Sequence, residues 1–191
     1  MSTVIQIKQG SVIYQEVDAI VCSANNWLHL GTGNAGEIKE AGGKTIQIEC
    51  NQIINNNEGK PLEIGKAVIT KAGNLTTKEG KRKYIIHAIG LGYKEKRDGN
   101  LYNRIPATQN TIFQAVVNAL EVASQKGITS IAFPLMCARP GYSTLPEEQA
   151  PKLLLQSMIQ AIKYFDTRNH GITNVFIVLQ NIDLLEYESQ D

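Results

Sequence analysis

The stretch 21-VCSANNWLHLGTGNAGEIKEAGG-43 passes from an apolar run, through a corner holding Gly31, Gly33 and Gly36, into what reads as the first turn of a helix. Strand, glycine-rich turn and helix in that order are the repeating unit of an α/β fold. Glycine lets the backbone approach another molecule without a Cβ in the way, and the N-terminus of the helix behind it presents N–H groups that lack intrahelical partners. The corner is thus either a phosphate cradle or a turn that only reverses the chain. No third glycine stands at the dinucleotide-binding spacing and no G-K-[ST] follows, so neither the Rossmann nor the P-loop pattern applies.

Working outward, apolar strand-like runs alternate with helix-like runs, with no internal repeat and no low-complexity linker. The strand candidates are 4-VIQIK-8, 19-AIVCSA-24, 67-AVITKA-72, 84-YIIHAI-89, 130-SIAFPL-135 and 174-NVFIVL-179. Several are continuous runs of Ile, Val, Ala and Phe, as strands covered on both faces should be. Residues 34–56 keep near-helical spacing, interrupted at Gly42-Gly43. The run 108-TQNTIFQAVVNALEVASQKG-127 has a polar start and Gly127 as its stop. The run 146-PEEQAPKLLLQSMIQAIKYF-165 opens on Pro146 and two glutamates, with Pro151 marking a later alternative start. The polar, glycine-containing stretch 91-LGYKEKRDGNLYNRIP-106 reads as a surface loop.

Composition narrows the functional classes. With 191 residues, 42% of them hydrophobic, the chain suits one core and a single domain rather than two. Lys and Arg number 19 against 18 acidic residues, so a net charge of +1 gives no electrostatic reason for a nucleic-acid or membrane surface as partner. A small molecule is the expected ligand. Cys22, Cys50 and Cys137 are odd in number and show no C-x-x-C spacing, which argues against a disulfide framework and a zinc site. No metal or cofactor is expected, and a reducing cytoplasm is the expected location. No apolar run has membrane-spanning length, and the first residues do not read as a secretory signal.

A second strand exit has the same form as the first: 130–135 leads into 136-MCARPGYSTLP-146 and then a helix. In open α/β sheets ligands sit beyond the carboxyl ends of strands, where such loops gather.

At these residues the sequence resembles the macrodomain family, whose members bind ADP-ribose and its derivatives. The family's second strand ends in a motif like V-N-A-A-N-x-x-L, followed by a glycine-rich loop and G-x-I; the matching run is 21-VCSANNWLHLGTGNAGEI-38. The likeness continues through 65-GKAVITKAGNL-75, 83-KYIIHAIG-90 and 115-AVVNALEVASQKGITSIAFP-134, nearly the whole chain in order. It implies a three-layer α/β/α fold around a central mixed sheet of about six strands. It also implies that the glycine corner wraps the diphosphate and the second ribose.

Carried over residue by residue, the resemblance places Gly10, Ser11, Val12, Gln180 and Asn181 at the adenine end, and Ala24 and Asn25 near the distal ribose. Gly31, Thr32, Gly33, Asn34, Ala35 and Gly36 form the first loop. Met136, Cys137, Ala138, Arg139, Gly141 and Tyr142 form the second. Asn25 has a second reading, as a turn cap after a strand. Arg139 is either a phosphate fork or a solvated loop tip.

Several positions depart from the family pattern. The motif's first asparagine is Cys22; the aspartate that hydrolytic members often carry is Ala35, which cannot orient a water. The aspartate that accepts from the adenine amino group is Ser11, a weaker acceptor, and Gln180-Asn181 stand where an aromatic ring often stacks. The second loop keeps Phe133, Pro134 and Pro146 but is longer and carries Arg139 and Pro140 among its small residues. Cys22 and Cys137 would need His29 as a base to act as nucleophiles; buried thiols are the usual alternative. Trp27 is either a lid over a ligand or a buried staple for its loop. The expected function is a module that recognises ADP-ribose or a modified ADP-ribose, including one attached to protein. The alternative is a hydrolase that removes ADP-ribose from proteins or deacetylates O-acetyl-ADP-ribose.

Overall fold

The structure, a computed structural model, describes residues 2–180. In chain order its elements are β1 (Val4–Gln9), β2 (Ala19–Asn25), α1 (Gly33–Gly42), α2 (Lys44–Asn56), β3 (Ala67–Lys71), β4 (Tyr84–Arg97), β5 (Asn100–Ile105), α3 (Gln109–Gln125), β6 (Ser130–Pro134), α4 (Ala150–Phe165) and β7 (Asn174–Leu179). Strand order across the sheet is β1-β7-β6-β2-β4-β3, with β5 hydrogen-bonded to β4. The first five of these run parallel to their neighbours, whereas β3 and β5 are antiparallel to β4. The sheet is therefore mixed, as the resemblance implied, with seven strands rather than about six.

Continuous apolar runs conceal a period of two. Ala19 and Val21 of β2 and Ile86 and Ala88 of β4 enter one core with α3 and α4. Ile20, Cys22, Ala24, Ile85 and Ile89 enter the opposite core with α1 and α2. Successive strand residues point to opposite faces, so a strand covered on both sides needs an apolar residue at every position. Each fully buried Ile or Leu contributes roughly 1.5–3 kcal/mol over exposure. This gives the three-layer α/β/α arrangement.

The helix boundaries follow local chemistry. Gly43, at φ 86, ends α1 and begins α2, which is the break expected at Gly42-Gly43. Thr108 caps α3 by accepting from the Thr111 N–H at 3.0 Å, and the Thr111 hydroxyl oxygen accepts from the Thr108 N–H at 2.9 Å. Such a cap is worth about 1 kcal/mol. The fourth helix starts at Ala150 with Pro151 in its first turn, later than Pro146.

The stretch 91–106 is not a loop. It is the outer half of β4, a two-residue turn and β5, with Arg97 paired to Asn100. Asp98 at φ 51 and Gly99 at φ 78 supply the two positive φ angles of a type I′ turn. Its polarity arises because β4 leaves the core after Gly92 and both strands then stand in solvent. Among the described residues no helix is long and apolar enough to cross a membrane.

Candidate functional site

The connection from β2 runs through α1 and α2 to β3, toward one edge of the sheet, and the connection from β6 runs through α4 to β7, toward the other. The loops after β2 and β6 therefore part at a topological switch point, and the crevice lies beyond the carboxyl ends of those two strands. It consists of two adjoining hollows of about 240 and about 180 Å³ that share Ser23, Thr32, Ala35, Cys137 and Tyr142.

The N-terminus of α1 opens into the larger hollow. Thr32 is its N-cap residue but makes no side-chain capping bond, so the N–H groups of Gly33, Asn34 and Ala35 have no intrahelical acceptor. The Asn34 side chain accepts from the Ser23 N–H at 2.7 Å, which fixes this end of α1 to β2. Gly33 has φ 63, and a Cβ there would lie 3.0 Å from Nη2 of Arg139. Arg139 thus reaches across the crevice from the second loop and rests its guanidinium over the helix start. Its side chain has no acceptor among the described residues. A cation and the positive end of a helix dipole, meeting at a hollow with no carboxylate paired to either among the described residues, form an anion-binding arrangement.

One end of the larger hollow is made by Gly10, Ser11, Val12, Val178 and Gln180. They meet because β1 pairs with β7, Gln9 opposite Leu179, and the Gly10 N–H donates to the Leu179 carbonyl at 2.8 Å. Ser11 donates to the carboxylate of Glu37 on α1, toward which the Gln180 amide also reaches at 3.5 Å.

The smaller hollow is bounded by Ala24 and Asn25 at the end of β2, by His29 and Gly31 from the first loop, by Leu91, Tyr93 and Leu101 from the β4–β5 hairpin, and by Tyr142. Arg104 holds two of these rings: its Nε donates to the Tyr93 hydroxyl at 3.2 Å, and its guanidinium lies 4.3 Å from the Tyr142 ring centre. Asn26, buried, acts as a short length of strand beside β4. Its Oδ1 accepts from the Tyr93 N–H at 2.8 Å and its Nδ2 donates to the Tyr93 carbonyl at 3.1 Å. The half-buried Trp27 donates its indole N–H to the same carbonyl at 3.0 Å, so it staples loop to hairpin rather than forming a lid.

Most of the residues singled out in the sequence line the two hollows, including Ala138 and the residues of the Gly31–Ala35 run. Three do not. Met136 is wholly buried in the core. Gly36 packs against the corner itself, where a Cβ would come within 2.6 Å of the Gly31 carbonyl oxygen. Gly141 lies on the outer side of its loop, where its carbonyl accepts from Arg104 at 3.4 Å. Asn181 lies outside the described residues. Asn25 lines the smaller hollow while serving its own loop: Oδ1 accepts from the Trp27 and His29 N–H groups and Nδ2 donates to the His29 carbonyl. One amide hydrogen is left over. Sequence reasoning missed Ser23, His29, Leu91, Tyr93 and Leu101 as wall residues. Asp98-Gly99 between polar strands was the available signal for the hairpin that carries three of them.

The thiols are not poised for chemistry. Burial pushes the Cys137 thiol up to about 12 and raises Cys22 further above the ordinary range. His29 is pushed below its usual value by partial burial and by Lys96 and Lys39. Neutral thiols with no hydrogen bond to the His29 ring among the described residues do not form a nucleophile–base pair with it.

Known proteins share this architecture. The family model described as Macro domain matches residues 21–154. A macro domain-containing protein of Caldanaerobacter subterraneus subsp. tengcongensis is 36% identical over 156 residues, covering 82% of this chain and 79% of its own. A Pantoea vagans protein named O-acetyl-ADP-ribose deacetylase 1 is 31% identical over 183 residues, covering 94% and 95%. Among solved structures, a variant of the Oceanobacillus iheyensis macrodomain with ADPR gives a TM-score of 0.72 at 24% identity, covering 100% of this chain and 96% of that one. At that identity the likeness is one of fold. With the family model spanning most of its length and relatives above 30% identical across nearly all of it, the chain belongs to the macro domain family.

Proposed function

We propose that the chain is a binding module for ADP-ribose or an ADP-ribose carrying an added group on its distal ribose, without efficient catalysis of its own. The observation that carries this reading is the N-terminus of α1, without a side-chain cap, facing the guanidinium of Arg139, which has no acceptor among the described residues. A diphosphate between them would satisfy both with charge-assisted hydrogen bonds. The remaining ends then fall into place. Adenine would occupy the Gly10–Val12 end, and the distal ribose would enter the smaller hollow past Asn25. Space continues there between Tyr93, Leu101 and Tyr142, which suits a further group on that ribose. The ligand acts as a signal, free or attached to a protein.

Support for binding over hydrolysis comes from the wall beside the distal ribose. Ala35 carries no group to hold a water, and the buried Cys137 thiol, pushed up to about 12, stays neutral and supplies no base to activate one. The deacetylase name of the Pantoea vagans relative keeps the hydrolytic reading as the alternative. Calorimetry with ADP-ribose, together with a turnover assay on ADP-ribosylated protein and on O-acetyl-ADP-ribose, separates the two. Binding without multiple turnover is expected, with a ten- to hundred-fold loss in Arg139→Ala. Robust hydrolysis by the purified protein, or unchanged affinity in folded Arg139→Ala, overturns the proposal.

A further inference from the structure

The Ser11 hydroxyl at the Gly10–Val12 end has only one kind of hydrogen bond left to offer. A serine hydroxyl has one proton and two lone pairs. The proton of Ser11 is donated to the Glu37 carboxylate. One lone pair accepts the Ile13 N–H at 3.3 Å. What Ser11 can still present is a single acceptor site and no donor. An ionised carboxylate only accepts, so Glu37 cannot return a proton and reverse this polarity. One amide N–H of Gln180 reaches for the other carboxylate oxygen, which leaves its second N–H and its carbonyl over. Glu37 itself does not line the hollow; Ser11 and Gln180 do.

We infer that Glu37 is a positioning residue for base recognition: by accepting the proton of Ser11 it leaves the Ser11 hydroxyl accepting only. A hydroxyl held this way selects a purine with an amino group at C6 over one with a carbonyl there. A 6-amino group donates to the vacant acceptor. A 6-oxo group brings oxygen against oxygen and leaves both without a partner, and mismatches of that kind discriminate more strongly than the loss of a contact. The inference rests on the nucleotide reading of the site given above.

The test compares ADP-ribose with its hypoxanthine counterpart, inosine diphosphate ribose, by calorimetry on the wild-type chain, Glu37→Ala and Ser11→Ala, each first checked for a cooperative thermal transition. Wild type is expected to prefer the adenine ligand by about ten-fold or more. In Glu37→Ala the freed Ser11 hydroxyl can rotate and donate, so the ratio falls to within about two-fold and hypoxanthine binding improves relative to adenine. A variant that merely loosens the fold would weaken both ligands and leave the ratio alone. Ser11→Ala removes the acceptor and also collapses the ratio, which decides the matter should Glu37→Ala not fold. An unchanged ratio in either folded variant, or no preference in a wild type that binds ADP-ribose, overturns this inference and leaves the nucleotide reading standing. Failure of the wild type to bind either ligand overturns both.

Discussion

Replacing Gly33 by alanine tests the anion site with the smallest available change. At φ 63 an L-residue is in the left-handed region, which costs about 1–2 kcal/mol; the entropy that alanine removes from the unfolded chain offsets only a few tenths to 1 kcal/mol of that. The new Cβ would also stand 3.0 Å from Nη2, 3.2 Å from Cζ and 3.4 Å from Nη1 of Arg139. Since those atoms end a flexible side chain, the guanidinium swings away rather than straining the fold. The loss at the site is then one charge-assisted anion contact, about 1.5–3 kcal/mol, or a ten- to hundred-fold rise in Kd. Stability should fall by about 1 kcal/mol, a Tm decrease of roughly 2–4 °C in a chain of this size. Gly31→Ala is the control: it has no positive φ, no atom within 4 Å of its added Cβ, and borders the other hollow. Calorimetry with ADP-ribose and a thermal melt read both quantities. A Gly33→Ala protein that binds within about two-fold of wild type, or a Gly31→Ala protein that loses as much, would refute the placement of the anion.

Two further expectations follow from buried and projecting features. Burial lowers the pKa of His87 to about 4, and its Nε2 donates to Thr70 Oγ1 at 2.9 Å while the Thr70 hydroxyl donates to the Lys71 carbonyl. Between pH 6.5 and 4 the unfolded chain binds the extra proton and the folded chain does not, so this contribution is complete above about pH 6.5 and is lost as pH falls. Comparing urea unfolding at pH 7.5 and 4.5, the stability lost by wild type should exceed that lost by His87→Leu by about 2–3 kcal/mol; equal losses would mean His87 is not the titrating group. Gly99→Val places a β-branched residue at φ 78 in the hairpin turn and should loosen the wall at Leu101 and Tyr93 without touching the core. Affinity for a distally substituted ADP-ribose should fall several-fold more than affinity for ADP-ribose itself, and a matched loss for both would dissociate the hairpin from the added group.

How far the sequence reached depended on the kind of physics each part uses. Buried strands and amphipathic helices announce themselves through composition and period, and 84-YIIHAI-89 and 108–127 are such cases. The glycine corner was legible because backbone geometry demands glycine at φ 63, whatever the ligand. The hairpin was misread because beyond Gly92 its strands bury little, so polarity outweighed the Asp98-Gly99 turn signal. The link from Glu37 to Ser11 and Gln180 was out of reach. It joins three elements 26 and 143 residues apart, and only the pairing of β1 with β7 brings the first and last together. Arg139 was left open between phosphate fork and loop tip, because a loop's path does not follow from local propensity. The structure lays its guanidinium over Gly33, against the start of α1.

The two loops also differ in how much their sequences are free to drift. Residues 25–30 are fastened at nearly every step: Asn25 to its own turn, Asn26 and Trp27 to Tyr93, Leu28 and Leu30 to the Gln47 side chain, and Leu28 itself in a left-handed conformation. An inserted residue there breaks several of these at once. The second loop is anchored at its far end, where the Ala107 N–H donates to the Tyr142 carbonyl and the Thr144 N–H to the Ala107 carbonyl, while Arg139, Pro140 and Gly141 stand exposed between fixed ends. Insertions and substitutions in that span leave the sheet and the first loop intact. New ligand preferences are therefore cheapest to evolve on the β6 side of the crevice, with the β2 side serving as the constant part of the site.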